Sequence, residues 1–182
     1  MGTVTTLPRS RPLNRRDLES MPDDGHRYEL IDGALIVTPA PSYRHQDVVG
    51  HLHVLLTSVC PVDLKVLLAP FDVALADDTV MQPDLLVARR SDFTARDLPT
   101  APLLAVEVLS PSTRRIDRTL KLARLEAAGC RSYWVVDPDG PGLTAWQLRG
   151  SKYVELGHVA GDEQLDFTEP FALTVTPSKL QD

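Results

Sequence analysis

Leu103-Leu104-Ala105-Val106-Glu107-Val108-Leu109 is the stretch on which the fold of this chain turns. Six of its seven residues are apolar, the pattern of a central strand buried on both faces. Ser110-Pro111 then offers an N-cap followed by a first-turn proline, and Gly129 suits the C′ position. A helix is therefore predicted over 111–128, with Ile116, Leu120, Ala123 and Ala127 as its dry stripe. Ser132 to Pro138 (SYWVVDP) reads as a second buried strand. Strand, crossover helix and strand predict a right-handed parallel unit.

Upstream, residues 1–16 carry four arginines and two prolines with little periodicity, and are expected to form a loose arm before a single domain over 17–182. Asn14 to Glu19 predicts a short helical turn, closed by Pro22-Asp23-Asp24-Gly25. YELIDGALIV (28–37) predicts a tight type I′ hairpin about Asp32-Gly33. Val48, Leu52, Leu55 and Val59 recur at helical spacing before Pro61. Strands are expected over 64–75, broken at Pro70, and over 84–88, with a polar linker at 89–101. Downstream, antiparallel strands are expected at 143–148, 152–157 and 171–175. The class is α/β or α+β: one mixed central sheet flanked by helices, with β-hairpins at both ends.

The chain has 182 residues, 43% hydrophobic and 24% charged, enough for a full core without disulfides or structural metal. Cys60 and Cys130 lie far apart and are read as reduced core residues of a cytoplasmic protein. No signal peptide is expected, since no apolar run follows the N-terminal arginines. The longest uncharged stretch, Val48 to Val62, is 15 residues, contains two histidines and is too short to span a bilayer. Nineteen basic against 25 acidic residues leave a net charge of −6, which argues against a coat on nucleic acid and for a local basic patch.

Glu107 is the most informative residue, because a carboxylate inside a buried strand costs several kcal/mol unless it is paired or holds a cation. The reading offers a metal ligand or general base, against an ion pair or a sheet edge. Asp84 follows Pro83, which lacks the N–H that a central ladder uses, and so starts a strand or sits at a bulge. Two such acids on adjacent strands suit a hard divalent cation such as Mg²⁺. Asp117 and Lys121 are four apart and share a helix face with arginines around them. Lys121 is one of only four lysines and would act as a point charge on a phosphate or its water, against a solvated ion pair. His51 and His53 point to opposite sides of their helix and make no zinc pair. Trp134 and Trp146 are read as core.

The succession PDLLVAR (83–89), EVLSPSTRRIDRTLK (107–121) and YWVVDP (133–138), with YELIDG (28–33) upstream, resembles the Uma family, bacterial proteins described as candidate restriction endonucleases of the PD-(D/E)XK nuclease superfamily. The resemblance spans roughly 15–175. It implies a restriction-endonuclease-like αβββαβ core, with Asp84 and Glu107 as the motif acids. Leu109 occupies the motif's lysine position, and the resemblance implies that the lysine has moved to the helix as Lys121. It also marks Glu29 as an additional metal ligand, and His45 as a residue lining the site together with Asp117.

The combined expectation is a DNA endonuclease using Mg²⁺ or Mn²⁺. Asp84, Glu107 and the Val108 backbone carbonyl would hold the metal, Lys121 would stabilise charge, and Arg114, Arg115 and Arg118 would touch the DNA backbone. The alternative is an inactive nuclease fold serving as a DNA-binding or protein-interaction module. A homodimer in the cytoplasm, with no membrane contact, completes the expectation.

Overall fold

Alternation along the strands at the middle of the chain divides the core. A computed structural model describes residues 11–182. Arg15–Leu18 (α1), capped by Asn14, precedes the hairpin of β1 (Arg27–Ile31) and β2 (Ala34–Thr38). Asp32 and Gly33 have φ of 52° and 75°, the two positive values that a type I′ turn needs. Residues 11–16 lie against this hairpin, with Leu13 buried and its N–H donating to the Gly33 carbonyl. Residues 1–10 of the expected arm lie outside the described residues.

Tyr43–Val59 forms α2, followed by β3 (Leu64–Leu68), β4 (Asp72–Ala76), β5 (Thr79–Met81), β6 (Leu85–Arg89), β7 (Asp97–Leu98) and β8 (Leu104–Val108). The long helix α3 comprises Arg114–Ile116, a π-helical turn Asp117–Lys121, and Leu122–Ala128. Gly129 closes it at φ 83°, as expected of a C′ glycine. Then come β9 (Ser132–Asp137), β10 (Gly142–Arg149), β11 (Lys152–Ala160), β12 (Leu165–Phe167) and β13 (Leu173–Val175).

The strands form two principal sheets where one was expected. Six strands run β11-β10-β9-β8-β6-β3, with β8 parallel to β9 and the other pairs antiparallel; five more run β2-β1-β5-β4-β7. The second sheet exists because β5 joins the N-terminal hairpin to β4 and β7 extends it at the far edge, both strands too short to show a period. Leu104, Val106 and Val108 point with Trp134 and Val136 to the face covered by α2. Ala105 and Leu109 point with Tyr133 and Val135 to the face covered by α3. Glu107 belongs to that second face by the same alternation.

Both helices are rotated from their predicted faces. The inner residues of α2 are Val48, Val49, Leu52 and Leu56, with Leu55 half-buried against the same core and Val59 exposed in the last turn. On α3 the correction is larger. Asp117, Lys121 and Leu125 are the buried residues, and Leu120 of the expected dry stripe is 47% exposed. No helix among the described residues is long and apolar enough to cross a membrane.

Candidate active site

Antiparallel pairing of Leu85 with Val106 carries Asp84 to the level of Glu107 on the neighbouring strand. The two acids are 3% and 2% exposed. Arg27 and Glu29 sit two apart on β1 and so point to one side, toward these acids. His45 arrives from the first turn of α2, where the Ser42 hydroxyl accepts the His45 backbone N–H and fixes the helix start.

The π-helical turn presents the remaining two residues. At 3.6 residues per turn, a step of four drifts by about 40° around the axis. The wider turn offsets part of that drift, so Asp117, Lys121 and Leu125 line up inward. Tyr133, buried on β9, donates its hydroxyl to the Asp117 carbonyl at 2.8 Å and fastens the turn to the sheet.

Two halves result. In one, Asp84 Oδ1 accepts from Arg27 Nη1 at 2.9 Å, while Oδ2 accepts the Val108 N–H at 2.9 Å and lies 3.1 Å from His45 Nε2. In the other, the Lys121 ammonium stands 2.9 Å from Glu29 Oε1, 3.0 Å from Glu107 Oε1 and 3.7 Å from Asp117 Oδ1. Glu29 also accepts the Gln82 N–H at 2.7 Å. His45 Nδ1 has no hydrogen-bond partner, and the Asp117 carboxylate has beside Lys121 only the Thr113 side chain as a donor neighbour.

Electrostatics separate the halves. Burial by itself would raise the Asp84 carboxyl, but the His45 hydrogen bond and the charges of Arg27 and Lys121 outweigh it and hold the group at about 2. Burial raises Glu107 well above the carboxylate range, opposed by Lys121 and reinforced by Asp117, Asp84 and Glu29. Asp117 is raised in the same way, by burial first. Burial would lower Lys121, but its three carboxylate neighbours raise it, so the amine stays charged.

A cleft of about 720 Å³ opens onto this site, and Arg15, Arg27, His45, Gln82, Asp84 and Arg96 are among its lining residues. Glu29, Glu107, Asp117 and Lys121 are not; they lie behind Asp84. The structure thus gathers Glu29, His45, Asp84, Glu107, Asp117 and Lys121 in one place, with the Val108 backbone touching Asp84 through its N–H. Arg114, Arg115 and Arg118 do not line the cleft: Arg114 pairs with Asp137 at 2.9 Å, and Arg115 and Arg118 are exposed on α3. Arg27 is the site residue that the sequence reading missed. Its signal was its spacing of two from Glu29 on a strand.

The donor set suits a hard divalent cation. Four carboxyl groups (Glu29, Asp84, Glu107, Asp117) face two fixed cations (Arg27, Lys121), two more acids than cations. Among the described residues, the three ligand-type side chains that lie within 4.8 Å of one another are Asp47, His51 and Asp182, away from this site. In the cluster itself the Lys121 ammonium stands between Glu29 and Glu107.

Residues 15–178 match the model of the Uma2 family, described as "Putative restriction endonuclease", and the chain belongs to that family. No curated protein matches the sequence. Among solved structures, a protein described as a putative nuclease belonging to DUF820 from Anabaena variabilis has the same fold, with a TM-score of 0.73 at 20% identity over 93% of this chain and 97% of that one.

Proposed function

We propose that this member of the Uma2 family is a divalent-metal-dependent endonuclease that hydrolyses DNA phosphodiester bonds in the cytoplasm. The observation that carries the reading is the surplus of buried carboxylate over cation at one site, beside a cleft that reaches Asp84. Asp84, Glu107 and Glu29, with the backbone carbonyl of Val108, are the residues that would hold Mg²⁺ or Mn²⁺. When bound, the ion supplies Lewis acidity toward the phosphate and lowers the pKa of a nearby water.

The chain's own groups do the rest. His45 and the Val108 N–H fix the Asp84 carboxylate in one orientation, so it enters the reaction already ordered. Lys121 carries its charge on a helix packed against the sheet, held between Glu29 and Glu107, and would stabilise negative charge that develops on the phosphate through its field rather than by contact. Asp117 keeps that amine balanced between acids on three elements. Arg114, Arg115 and Arg118 would contact the DNA backbone, which positions the duplex without reading its sequence.

The test compares Asp84→Asn and Glu107→Gln with wild type on plasmid DNA with Mg²⁺. Each should lose on the order of 100-fold or more in rate. Folded variants that cut as fast as wild type would end the nuclease reading.

A second reading has its own observation. Lys121 already occupies the space between Glu29 and Glu107, and Asp84 is the one acid of the cluster that lines the cleft, which is what a nuclease fold retained as a DNA-binding or protein-interaction module would have. That reading expects binding without turnover and no saturable Mn²⁺ uptake by calorimetry. A homodimer through the terminal hairpin β10–β11, which exposes Val154 and Leu156, would give one site per strand of a duplex. Sedimentation as a monomer at high concentration would exclude the dimer.

A further inference from the structure

Every acceptor of Asp84 is engaged, but the three partners differ in how freely they can leave. The Val108 N–H belongs to β8 in the middle of the six-stranded sheet. His45 is buried in the first turn of a 17-residue helix whose start is capped. Arg27 is different. Its side chain is long, 18% exposed and part of the cleft wall, and its Nη1 divides between Asp84 Oδ1 and the Gln82 carbonyl at 2.9 Å each. A ligand that comes through the cleft to Asp84 Oδ1 meets this guanidinium, which lines the same cleft and holds that oxygen.

We infer that Arg27 is an exchangeable counter-ion: it leaves Asp84 Oδ1 when a divalent cation takes that oxygen, and its guanidinium then engages a phosphate of the substrate. The inference rests on the nuclease reading above. A guanidinium suits both positions, because its planar fork matches a carboxylate and a phosphate alike. The exchange also keeps one cation on Asp84 throughout, so the buried carboxylate is at no stage left uncompensated.

Two effects of opposite sign follow. Arg27 competes with the metal, so its removal should tighten metal binding. It also holds the phosphate, so its removal should weaken DNA. A residue that only shores up the fold would weaken both.

The experiment is a calorimetric titration of Mn²⁺ into the full chain as wild type, Arg27→Gln and Arg27→Lys, with thermal melts in chelator to report folding and with KM and kcat measured on a DNA substrate. Arg27→Gln should bind Mn²⁺ roughly tenfold tighter and show KM for DNA raised roughly tenfold, about the worth of one charge-assisted hydrogen bond in each case. Arg27→Lys, which keeps the charge but lacks the fork, should fall between on both measures. Unchanged or weaker Mn²⁺ affinity in a cooperatively melting Arg27→Gln overturns the inference; if that variant does not fold, an Arg27→Lys indistinguishable from wild type does so. Saturable Mn²⁺ binding to wild type with no effect of Arg27 sinks this inference alone. Absence of any saturable Mn²⁺ binding to wild type removes the nuclease reading and this inference with it.

Discussion

Asp84 and Glu107 are neighbours on adjacent strands, equally buried, and shifted in opposite directions. Asp84 is kept ionised, down at about 2, whereas burial pushes Glu107 well above the usual carboxylate range. Burial cannot be the cause of the difference, since the two are 3% and 2% exposed. What differs is the supply of positive and donating groups. Asp84 has Arg27, His45 and a backbone N–H to itself, while Glu107 shares one ammonium with Glu29 and Asp117. In a low-dielectric interior the local ratio of donors to carboxylates sets protonation, and a pair of acids driven apart in this way has its roles divided before any substrate arrives.

The contrast can be broken most severely from the sealed side. Lys121→Met leaves three buried carboxylates without a cation and should destabilise the protein by about 3–5 kcal/mol, measured by urea unfolding. Arg27→Met, at the open cleft, should be clearly milder in the same assay. A larger loss from Arg27→Met than from Lys121→Met would invert the comparison.

Divalent metal comes next. Mn²⁺ at a hundred times its dissociation constant should stabilise the wild type by about 2.7 kcal/mol. Asp84→Asn should abolish that gain in a thermal melt. Without metal, Asp84→Asn removes an ionised acceptor from three donors and should lose about 1–3 kcal/mol at neutral pH. Glu107→Gln, which still leaves Lys121 beside Glu29 and Asp117, should cost less than Asp84→Asn in the same assay.

pH should move the two halves in opposite directions. A carboxyl raised on folding, like Glu107 or Asp117, contributes stability that is full below its ordinary value of 4.5 or 3.8 and is lost as pH rises through the native value. Asp84 contributes stability above its ordinary 3.8, lost as pH falls toward about 2. Above about pH 4.5 the Asp84 contribution is complete, so the contribution of this cluster to metal-free stability should fall as pH rises toward neutral, and Glu107→Gln should flatten that part of the slope. Mn²⁺ should reverse it, because the ligands bind deprotonated. The smallest effect belongs to the outer surface of α3: Arg115→Ala and Arg118→Ala should each weaken DNA binding evenly across sequences and lower the salt slope by about one.

Much of this was legible in one dimension. The β8–α3–β9 unit, the Asp32-Gly33 turn and the Gly129 cap depend on neighbours in the chain, and each lies where periodicity and turn chemistry put it. Glu107 and Asp84 were visible as charges in the wrong company. The inner face of α3 was not visible, because counting apolar residues favours Leu120 over Asp117 and Lys121. Those two charged residues are inside only because acids from β1 and β8 meet them there and a π-helical turn swings them round. Arg27 and Asp84 are 57 residues apart, and no local pattern joins them.

The amino-acid order alone therefore determined the elements, the parallel crossover and the identity of the acids, since propensity, alternation and capping act over a few residues. Tertiary structure decided which acid is held ionised, which cation guards the cleft and which face of α3 is dry. Those properties depend on distances of about three ångströms between groups that the chain itself holds far apart, and electrostatics in a protein interior is settled at that range.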